Sequence, residues 1–511
     1  MRKWWPLITV CLGTFMLLID VTIVNVALPQ MALDLHTSFT ALQWVVDGYA
    51  LSLAVLLLGA GALGDLSGHR RLYIGGLVVF ALASLACGLS TGPGTLIAAR
   101  VVQGIGAAAM FTTTFALLNG AYQGRERGVA YGVWGGVSGA AAAVGPILGG
   151  LLTEGLNWRW IFLVNLPLSI AAVVLSLTVL KPDHGERRGR FDVPGTITFT
   201  VAATALTLAV IRANDEGWTA FPTWGLLVLS GLALIAFVLV ERRSAYPMLD
   251  LGLLRNRSLA GILIAALLVN VAAFAAFTYT SIWLQSLTGL SPIQAGLTGL
   301  PMSLVSVVVS GIVGSKLHGR SPRLIIGGGM LLIGAGSALC ALLLGPDSSW
   351  PALIAGYAVI GMGVGLVMPT LADSAMAAVP RERSGMAAGA ITTARQLGFA
   401  IGIAVLGTVF ASRTQDHLAD KGVADPAGTA HGLAAGQAGK ILAAVPDAGR
   451  SAVDAVLRAA AVAGLDAGFL VAAVAGIIGG IAVLVLVPSP SRKRAAENPV
   501  VDERDSLLDA R

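Results

Sequence analysis

The sequence predicts an all-α polytopic membrane protein of fourteen transmembrane helices, in which two inserted helices separate two pseudo-symmetric six-helix halves. Its 511 residues are 56% hydrophobic and only 12% charged, about half the charged fraction of a soluble chain. Apolar runs of about twenty residues, the length that crosses a bilayer as a helix, recur along the chain. The short segments of alternating polarity that build a transmembrane β-barrel are not seen.

Fourteen apolar runs are predicted to span the membrane. The first continues past Asp20 to Leu28 without a cleavage pattern, so it is expected to be a retained helix and not a signal peptide. The least typical are the Gly- and Ala-rich fifth and the short, Thr-rich seventh. In order, the predicted spans are 7–29, 44–64, 72–91, 96–118, 130–153, 160–180, 194–211, 223–240, 259–284, 294–316, 324–344, 350–371, 386–411 and 463–487.

The charged residues predict the orientation. Most of the 33 Lys and Arg residues fall in segments that lie on one side when the spans alternate, as the positive-inside rule requires of the cytoplasmic side. Both termini are therefore expected in the cytoplasm of a cell-membrane protein, and 412–461 is expected to be a long extracytoplasmic loop. The net charge of +6 is spread over many segments, which argues against a nucleic-acid partner.

An internal repeat predicts the division into halves. Arg125-Glu126-Arg127 recurs as Arg381-Glu382-Arg383, and the pair Gly104 and Gly106 recurs as Gly361 and Gly363 at nearly the same offset. Secondary transporters are built from such repeats, with the binding site between them. The predicted units are residues 1–180, the inserted helices 7 and 8 within 181–254, residues 255–490, and a disordered cytoplasmic tail, 491–511.

Charged side chains inside the spans are the candidate coupling site. Asp20 and Arg100 lie within helices 1 and 4, where an ionised group needs a partner, a proton or water. A carboxyl group whose surroundings change between two conformations can take up a proton on one side and release it on the other. The plain alternative is a structural hydrogen bond between helices. Asp47 is a candidate for the exit pathway or a solvated helix end, and Arg395 for a substrate or interhelix contact.

Two further stretches suggest moving parts. Asp65 among the basic residues Arg70 and Arg71 indicates an ionic latch on the cytoplasmic rim, although a topology signal has the same composition. In the fifth span, Gly residues allow close helix packing and a Pro permits a bend. The small or bending residues of that stretch are Gly145, Pro146, Gly149 and Gly150.

These stretches resemble the motifs of the major facilitator superfamily, specifically its drug:proton antiporter branch with fourteen spans. Leu66 and His69 depart from the usual loop motif, and Ala141 replaces a usual Gly in the helix-5 motif. The resembling stretches are LIDVTIVNVALP (18–29, with Asn25), GALGDLSGHRR (61–71, with Gly61 and Gly68), LIAARVVQGIGAA (96–108, with Arg100 and Gln103), VGPILGG (144–150), WRWIFLVNLP (158–167) and TARQLGFAIGIAVLGT (393–408).

The resemblance implies a multidrug or antibiotic exporter driven by inward proton flow, in which the helix-4 Arg takes part in proton transfer. The expected partners are a small-molecule drug or antibiotic, protons and the lipid bilayer, with the chain acting as a monomer. An uptake or metabolite permease on the same fold is the alternative, and a membrane sensor is a third reading. We expect no enzyme activity and no cofactor or metal, with the proton gradient as the energy source, because no catalytic constellation or metal-ligand spacing is found.

Overall fold

The computed structural model describes residues 2–37, 39–183, 191–216, 220–313, 320–346, 348–380 and 383–488. Throughout these ranges the chain is helical with connecting turns. Two candidate residues, Asn25 and Pro146, belong to helices but their side chains lie outside the described part, and the predicted tail 491–511 lies outside it entirely.

Fourteen long helices, α1 to α14, follow one another along the described chain. Several are built of consecutive segments, and α9 contains one π-helical turn, Val271–Ala275. The helices are α1 (Trp5–Asp34), α2 (Phe39–Ser67), α3 (His69–Gly88), α4 (Pro93–Ala121), α5 (Gly124–Gly155), α6 (Trp160–Leu163 and Asn165–Val179), α7 (Val193–Glu216), α8 (Phe221–Arg243), α9 (Arg257–Asn270, Val271–Ala275 and Ala276–Ser286), α10 (Pro292–Leu297 and Leu300–Ile312), α11 (Pro322–Leu343), α12 (Trp350–Leu353 and Ile354–Ala377), α13 (Ser384–Asp420) and α14 (Asp447–Leu486).

Thirteen of these helices contain, among the described residues, a stretch long and apolar enough to cross a membrane. The remaining one, α5, has 32 residues, and residues 128–153 within it carry no Asp, Glu, Lys or Arg. A helix of that length extends about 48 Å, more than the hydrocarbon thickness of a bilayer. The predicted all-α multispan class is confirmed.

The first six long helices and the last six pack in the same pairs. In the first set α4 packs on α2 and α3, and α1 packs on α5; in the second, α12 packs on α10 and α11, and α9 packs on α13. The two sets meet where α2 contacts α13 and where α5 contacts α10. The inserted helices α7 and α8 pack on each other, and α7 also contacts α2 and α13.

The repeated glycines explain why the pairs match. A methyl group on Gly104 would lie 2.6 Å from the Tyr49 carbonyl oxygen of α2, and one on Gly106 would lie 2.8 Å from a carbonyl oxygen of α3. In the second set, Gly361 lies against α10 and Gly363 against α11 in the same way. Close approach of backbones at these points requires residues without a side chain.

The segment after α13 was predicted as a long loop that could contain short helices, and it is more helical than that. The expected loop 412–461 is mostly helical, because α13 continues to Asp420 and α14 begins at Asp447. Two short helices, Pro426–Ala434 and Ala438–Ala443, lie between them. We name the two ends of the bundle by the predicted orientation: the predicted cytoplasmic end is where α2 meets α3, and the predicted outer end is where α1 meets α2.

Candidate functional site

Asp20 lies in the middle of α1 and is fully buried. Its Oδ1 accepts hydrogen bonds from Gln103 Nε2 at 2.9 Å and from Asn165 Nδ2 at 3.0 Å. Its Oδ2 accepts from Arg100 Nη1, which also makes it an ion pair. Donors from α4 and α6 thus converge on one carboxylate of α1, and an ionised carboxylate is the form that only accepts hydrogen bonds.

Arg100, in α4, joins three helices around this carboxylate. Its exposed fraction is 1%, and its Nη1 also donates to Gln103 Oε1 at 2.8 Å. Its Nε donates to the Val45 carbonyl oxygen of α2 at 3.0 Å. The guanidinium lies 4.1 Å from the centre of the Tyr49 ring, a distance typical of a cation–π contact. Ion pair, hydrogen bonds and aromatic contact together accommodate a cation away from water.

Asn165 and Ser84 complete the site and were not among the predicted residues. Asn165 Nδ2 and Gln103 Nε2 both approach Ser84 Oγ, at 3.2 Å and 3.3 Å. Ser84 in turn donates to the Phe162 carbonyl oxygen at 2.9 Å. Asn165 stood within the quoted stretch WRWIFLVNLP as a polar residue in an apolar run, which was a usable signal. Ser84 offered none, because lone serines are common in membrane helices.

In this arrangement the contacts of Arg100 depend on the charge of Asp20. A proton on Asp20 would remove the charge that pairs with Arg100 and turn one acceptor oxygen into a donor facing other donors. Arg100 would then be a buried cation without its anion, a state that costs several kcal/mol. Protonation therefore favours a rearrangement of α1 against α4 and α6.

The predicted outer end of α1 is bound to the two residues that directly precede α6. Asp34 Oδ2 accepts from Trp158 Nε1 at 2.9 Å and pairs with Arg159 at 2.6 Å. These hydrogen bonds, from Trp158 first and then from Arg159, hold the pKa of the Asp34 carboxyl below its usual value. Arg159 also donates to the Ser90 carbonyl oxygen at the end of α3. The first residues of the WRWIFLVNLP stretch thus fix the helices that bear Asp20 and Asn165.

Asp65 joins the two sets of helices at the predicted cytoplasmic end. Its carboxylate accepts from the backbone amides of Gly385 and Met386, both at 2.8 Å. These amides belong to the first turn of α13, where the helix dipole and free N–H groups favour an anion. Gly61, one turn earlier in α2, packs directly on the backbone of Gly385 and Gly389.

The other residues of the predicted latch have different partners. Arg70 donates to the carbonyl oxygens of Ser176 and Leu177 at the end of α6, and Arg71 is exposed. Gly68 starts α3 with φ of +92°, a backbone conformation that L-residues rarely adopt. The structure therefore shows the Asp65 carboxylate bound to a helix N-terminus, with His69 Nε2 3.4 Å from its Oδ1. That the motif acts as an ionic latch stays a prediction.

Two further ion pairs bind the predicted cytoplasmic end together. Arg127, in the first turns of α5, pairs with Asp373 of α12 at 2.7 Å. Arg383, directly before α13, pairs with Asp250 in the segment between α8 and α9. The hydrogen bond from Arg383 holds the pKa of Asp250 below its usual value. Neither pair was predicted, although each contains an Arg of the repeated Arg-Glu-Arg sequence.

Gly145 of the helix-5 motif lies against the helix that carries Asp20. A methyl group on Gly145 would overlap the Thr22 side chain and lie 3.4 Å from the Ile19 carbonyl oxygen of α1. Gly149 and Gly150 are buried. The motif thus allows α5 to touch α1 beside Asp20, and its Pro146 side chain is outside the described part.

The remaining candidates are Asp47, Arg395 and Asn25. Asp47 is half-buried in α2, two residues beyond Val45. Arg395 is half-buried in α13; its carbonyl oxygen accepts from Asn270 Nδ2 at 2.6 Å, and its buried Nε has no acceptor in the described part of the chain. The Asn25 side chain lies outside the described residues.

Comparisons with known proteins agree with this architecture. The chain is 37% identical over 439 residues to the puromycin resistance protein pur8 of Streptomyces alboniger, covering 84% of this chain and 87% of that protein. It is 38% identical over 424 residues to the multidrug resistance protein Stp of Mycobacterium tuberculosis, covering 82% and 79%. The human organic anion transporter MFSD10 (TETRAN) has the same fold, with a TM-score of 0.62, 14% identity and coverage of 94% and 99%.

The model of the Major Facilitator Superfamily matches residues 10–403. The family predicted from the motifs is thereby confirmed. This chain belongs to the Major Facilitator Superfamily.

Proposed function

We propose that the chain exports drugs, antibiotics or other amphipathic organic compounds across the cell membrane in exchange for protons. The observation that carries the proposal is the buried carboxylate of Asp20, held by Arg100, Gln103 and Asn165. The relatives described above are named for resistance to puromycin and to multiple drugs, which favours export over the uptake or metabolite alternative. In this proposal the chain acts as a monomeric transporter without enzyme activity, cofactor or nucleic-acid partner.

The mechanism is alternating access, with both termini in the cytoplasm. The structure is held together at the predicted cytoplasmic end by Asp65 on the α13 N-terminus and by Arg127 with Asp373. Asp20 is meanwhile in the arrangement of an ionised group. We infer that this is the state that has released its proton inward and awaits another from outside.

A proton arriving from outside then reaches Asp20 and weakens its pair with Arg100. The first six helices rearrange, the contacts at the cytoplasmic end break, and substrate enters from the cytoplasm. The lower proton activity there lets the proton leave, and Arg100 pairs with Asp20 again. Because the proton gradient makes this order downhill, it supplies the energy for export.

The test is efflux of ethidium and of puromycin from whole cells, with and without an imposed proton gradient. We expect the wild type to export at least one of them only with the gradient, and Asp20→Asn, expressed equally, to lose at least nine-tenths of that efflux, since a group worth about 1.4 kcal/mol changes a rate tenfold. Asp416→Asn, which alters an exposed carboxylate near the end of α13, is the matched control and should export normally.

Two results would contradict the proposal. Normal gradient-driven efflux by Asp20→Asn would show that the coupling group lies elsewhere. Failure of the wild type to move either compound would count against an exporter of this substrate class.

A further inference from the structure

The inserted helices bring two carboxylic acids together at the predicted cytoplasmic end. Asp192, directly before α7, and Glu241, in the last turn of α8, have exposed fractions of 7% and 4%. Asp192 Oδ1 accepts from the Gly195 amide at 2.8 Å, and Glu241 Oε2 accepts from the Leu249 amide at 3.2 Å. The other oxygen of each, Asp192 Oδ2 and Glu241 Oε1, is buried without a hydrogen-bond partner in the described part of the chain.

Both of these oxygens approach the same glycine, Gly195. A methyl group placed on Gly195 would be 2.6 Å from Glu241 Oε1 and 2.8 Å from Asp192 Oδ2. The electrostatic neighbours of Glu241 are Asp192 and Asp250, which are both acidic. Adjacent carboxylates without a cation between them do not both ionise freely, whereas one proton shared between them satisfies both oxygens.

A surface cavity adjoins Asp192, on the side of the pair that lies nearest to solvent. Asp192 lines a surface cavity of about 450 Å³ between the start of α7 and the end of α8. Phe191, Leu239, Arg243 and Tyr246 also line it. The cavity therefore brings solvent up to Asp192 at the predicted cytoplasmic end, beside the buried pair.

A continuous set of contacts links the pair to the closed end of the bundle. Glu241 holds the Leu249 amide, and the next residue, Asp250, pairs with Arg383. Arg383 directly precedes α13, whose first amides bind Asp65. A movement of Glu241 away from Leu249 would therefore be transmitted through Asp250 and Arg383 to the contact between α2 and α13.

We propose that Asp192 and Glu241 form a proton-binding carboxyl pair that strengthens closure of the cytoplasmic end while it holds a proton. The pair is separate from Asp20. The proposal rests on the proposed function only for which end of the bundle faces the cytoplasm and for the alternating access in which that end closes. The proton comes from water in the cavity, binds one of the two facing oxygens and is donated to the other. When it returns to water, the two anions repel, Glu241 moves away from Leu249, and the Asp250–Arg383 contact loosens.

The direction of the pH effect follows. Because the closed form retains the additional proton, raising the pH through the titration of the pair removes stability from closure. The contribution of the Asp250–Arg383 pair to closure depends on pH in the opposite direction. The lowered pKa of Asp250 keeps this residue ionised near neutrality, and the pair is lost only as the pH falls through that lowered value. The other charged groups on the elements around the pair are Arg242 and Arg243 of α8, both exposed, Arg383 before α13 and Asp65 of α2.

The test measures closure directly, without substrate or gradient. Spin labels at Gln123→Cys and Ala377→Cys, exposed positions at the predicted cytoplasmic ends of α5 and α12, report their separation by double electron–electron resonance in nanodiscs over a pH series. We expect the closed fraction of the wild type to fall as the pH rises. Glu241→Gln, which stays neutral and keeps an acceptor for Leu249, should remain closed at every pH, and Asp192→Asn should behave alike.

Two variants complete the design. Glu241→Ala, which loses the bond to Leu249, should be less closed at every pH. Glu154→Gln, at an exposed position at the other end of α5, should keep the wild-type response. The proposal is overturned if Glu241→Gln and Asp192→Asn titrate like the wild type, or if only Asp20→Asn removes the response. Loss of dye efflux alongside an intact pH response would instead count against the proposed function alone.

Discussion

At the scale of single residues, the site is a buried ion pair whose cost is offset by its surroundings. An ionised group in the membrane interior costs several kcal/mol, and the attraction of one partner rarely repays that cost without further hydrogen bonds. Asp20 receives three donors, and Arg100 adds a carbonyl oxygen and an aromatic ring. Loss of the charge on Asp20 would leave Arg100 a buried cation without its anion, and this is why the proposed coupling is placed at Asp20.

Asn165 provides a test of this charge balance. Its amide donates to Asp20 at 3.0 Å, and a hydrogen bond to a charged group contributes about 1.5–3 kcal/mol. We expect Asn165→Ala to lower the free energy of unfolding in detergent by that amount. The loss of unfolding free energy caused by Asn165→Ala should shrink to about 1 kcal/mol when Asp20 is already Asn, because the remaining hydrogen bond is between neutral groups.

A matched control exists one turn along the same helix. Ser169 is equally buried, and within the described part of the chain its hydroxyl donates to the Met16 sulfur, at 3.3 Å, and to no carboxylate. Ser169→Ala should therefore cost the same with either residue at position 20. An equal cost for Asn165→Ala in both backgrounds would mean that its bond to the carboxylate is not charge-assisted.

The sequence predicted part of this site, and the limits have physical causes. Asp20 and Arg100 stood out because charged residues in apolar spans need partners, and Gln103 was named through the resemblance of its stretch to the helix-4 motif. Their mutual contact was not predictable, since it depends on how α1 and α4 are rotated about their axes. The partners of Asp65 were missed for another reason: they are backbone amides, which every residue possesses.

At the scale of elements, the contact between α2 and α13 depends on residues without side chains. A methyl group on Gly61 would overlap the Gly385 carbonyl oxygen and lie 3.3 Å from the Gly389 Cα. Rigid backbones on both sides leave no flexible side chain to move aside. Closure of the predicted cytoplasmic end thus requires Gly at this position of the motif.

Gly61→Ala should therefore hold α2 and α13 apart. With the spin labels described above, we expect the ratio of closed to open molecules to fall about tenfold, since overpacking of this kind costs about 1–3 kcal/mol and about 1.4 kcal/mol is a factor of ten in an equilibrium constant. Gly75→Ala is the control, because a methyl group there meets nothing within 4 Å. A closed fraction in Gly61→Ala equal to that in Gly75→Ala would show that this contact does not set closure.

The ends of the helices were predicted less well than their number. Hydropathy marks the part of a helix that lies in lipid, so the fourteen predicted spans correspond to α1–α14. It says nothing of helical turns in water, and α13 and α14 continue well past their apolar parts. Arg458 and Asp454, 2.7 Å apart in the extension of α14, are an ion pair at the spacing that supports an exposed helix.

At the scale of the whole molecule, the two sets of six helices meet along two similar seams. The α2–α13 seam is closed by Asp65, and the α5 side is closed by Arg127 of α5 with Asp373 of α12. Arg127 also donates to Asn119 of α4 at 2.6 Å. The repeat in the sequence pointed to such a pairing of halves, whereas the identity of the Asp373 partner required the folded arrangement.

Exchanging the charges of this second seam tests whether it helps to hold the transporter closed. Each of Arg127→Asp and Asp373→Arg places like charges in contact across the seam, so we expect each to reduce the closed fraction and the gradient-driven efflux. The pair is about a quarter exposed, and solvent screening limits such an interaction to about 1 kcal/mol. The expected change is therefore a few-fold, well short of complete loss.

In the double variant the two charges have changed places but are still opposite, so the attraction returns. Closure and efflux should then recover together. If each single variant were impaired and the double variant no better than either, Arg127 would act through Asn119 and α4 alone, and the α2–α13 seam would remain as the contact that closes the cytoplasmic end.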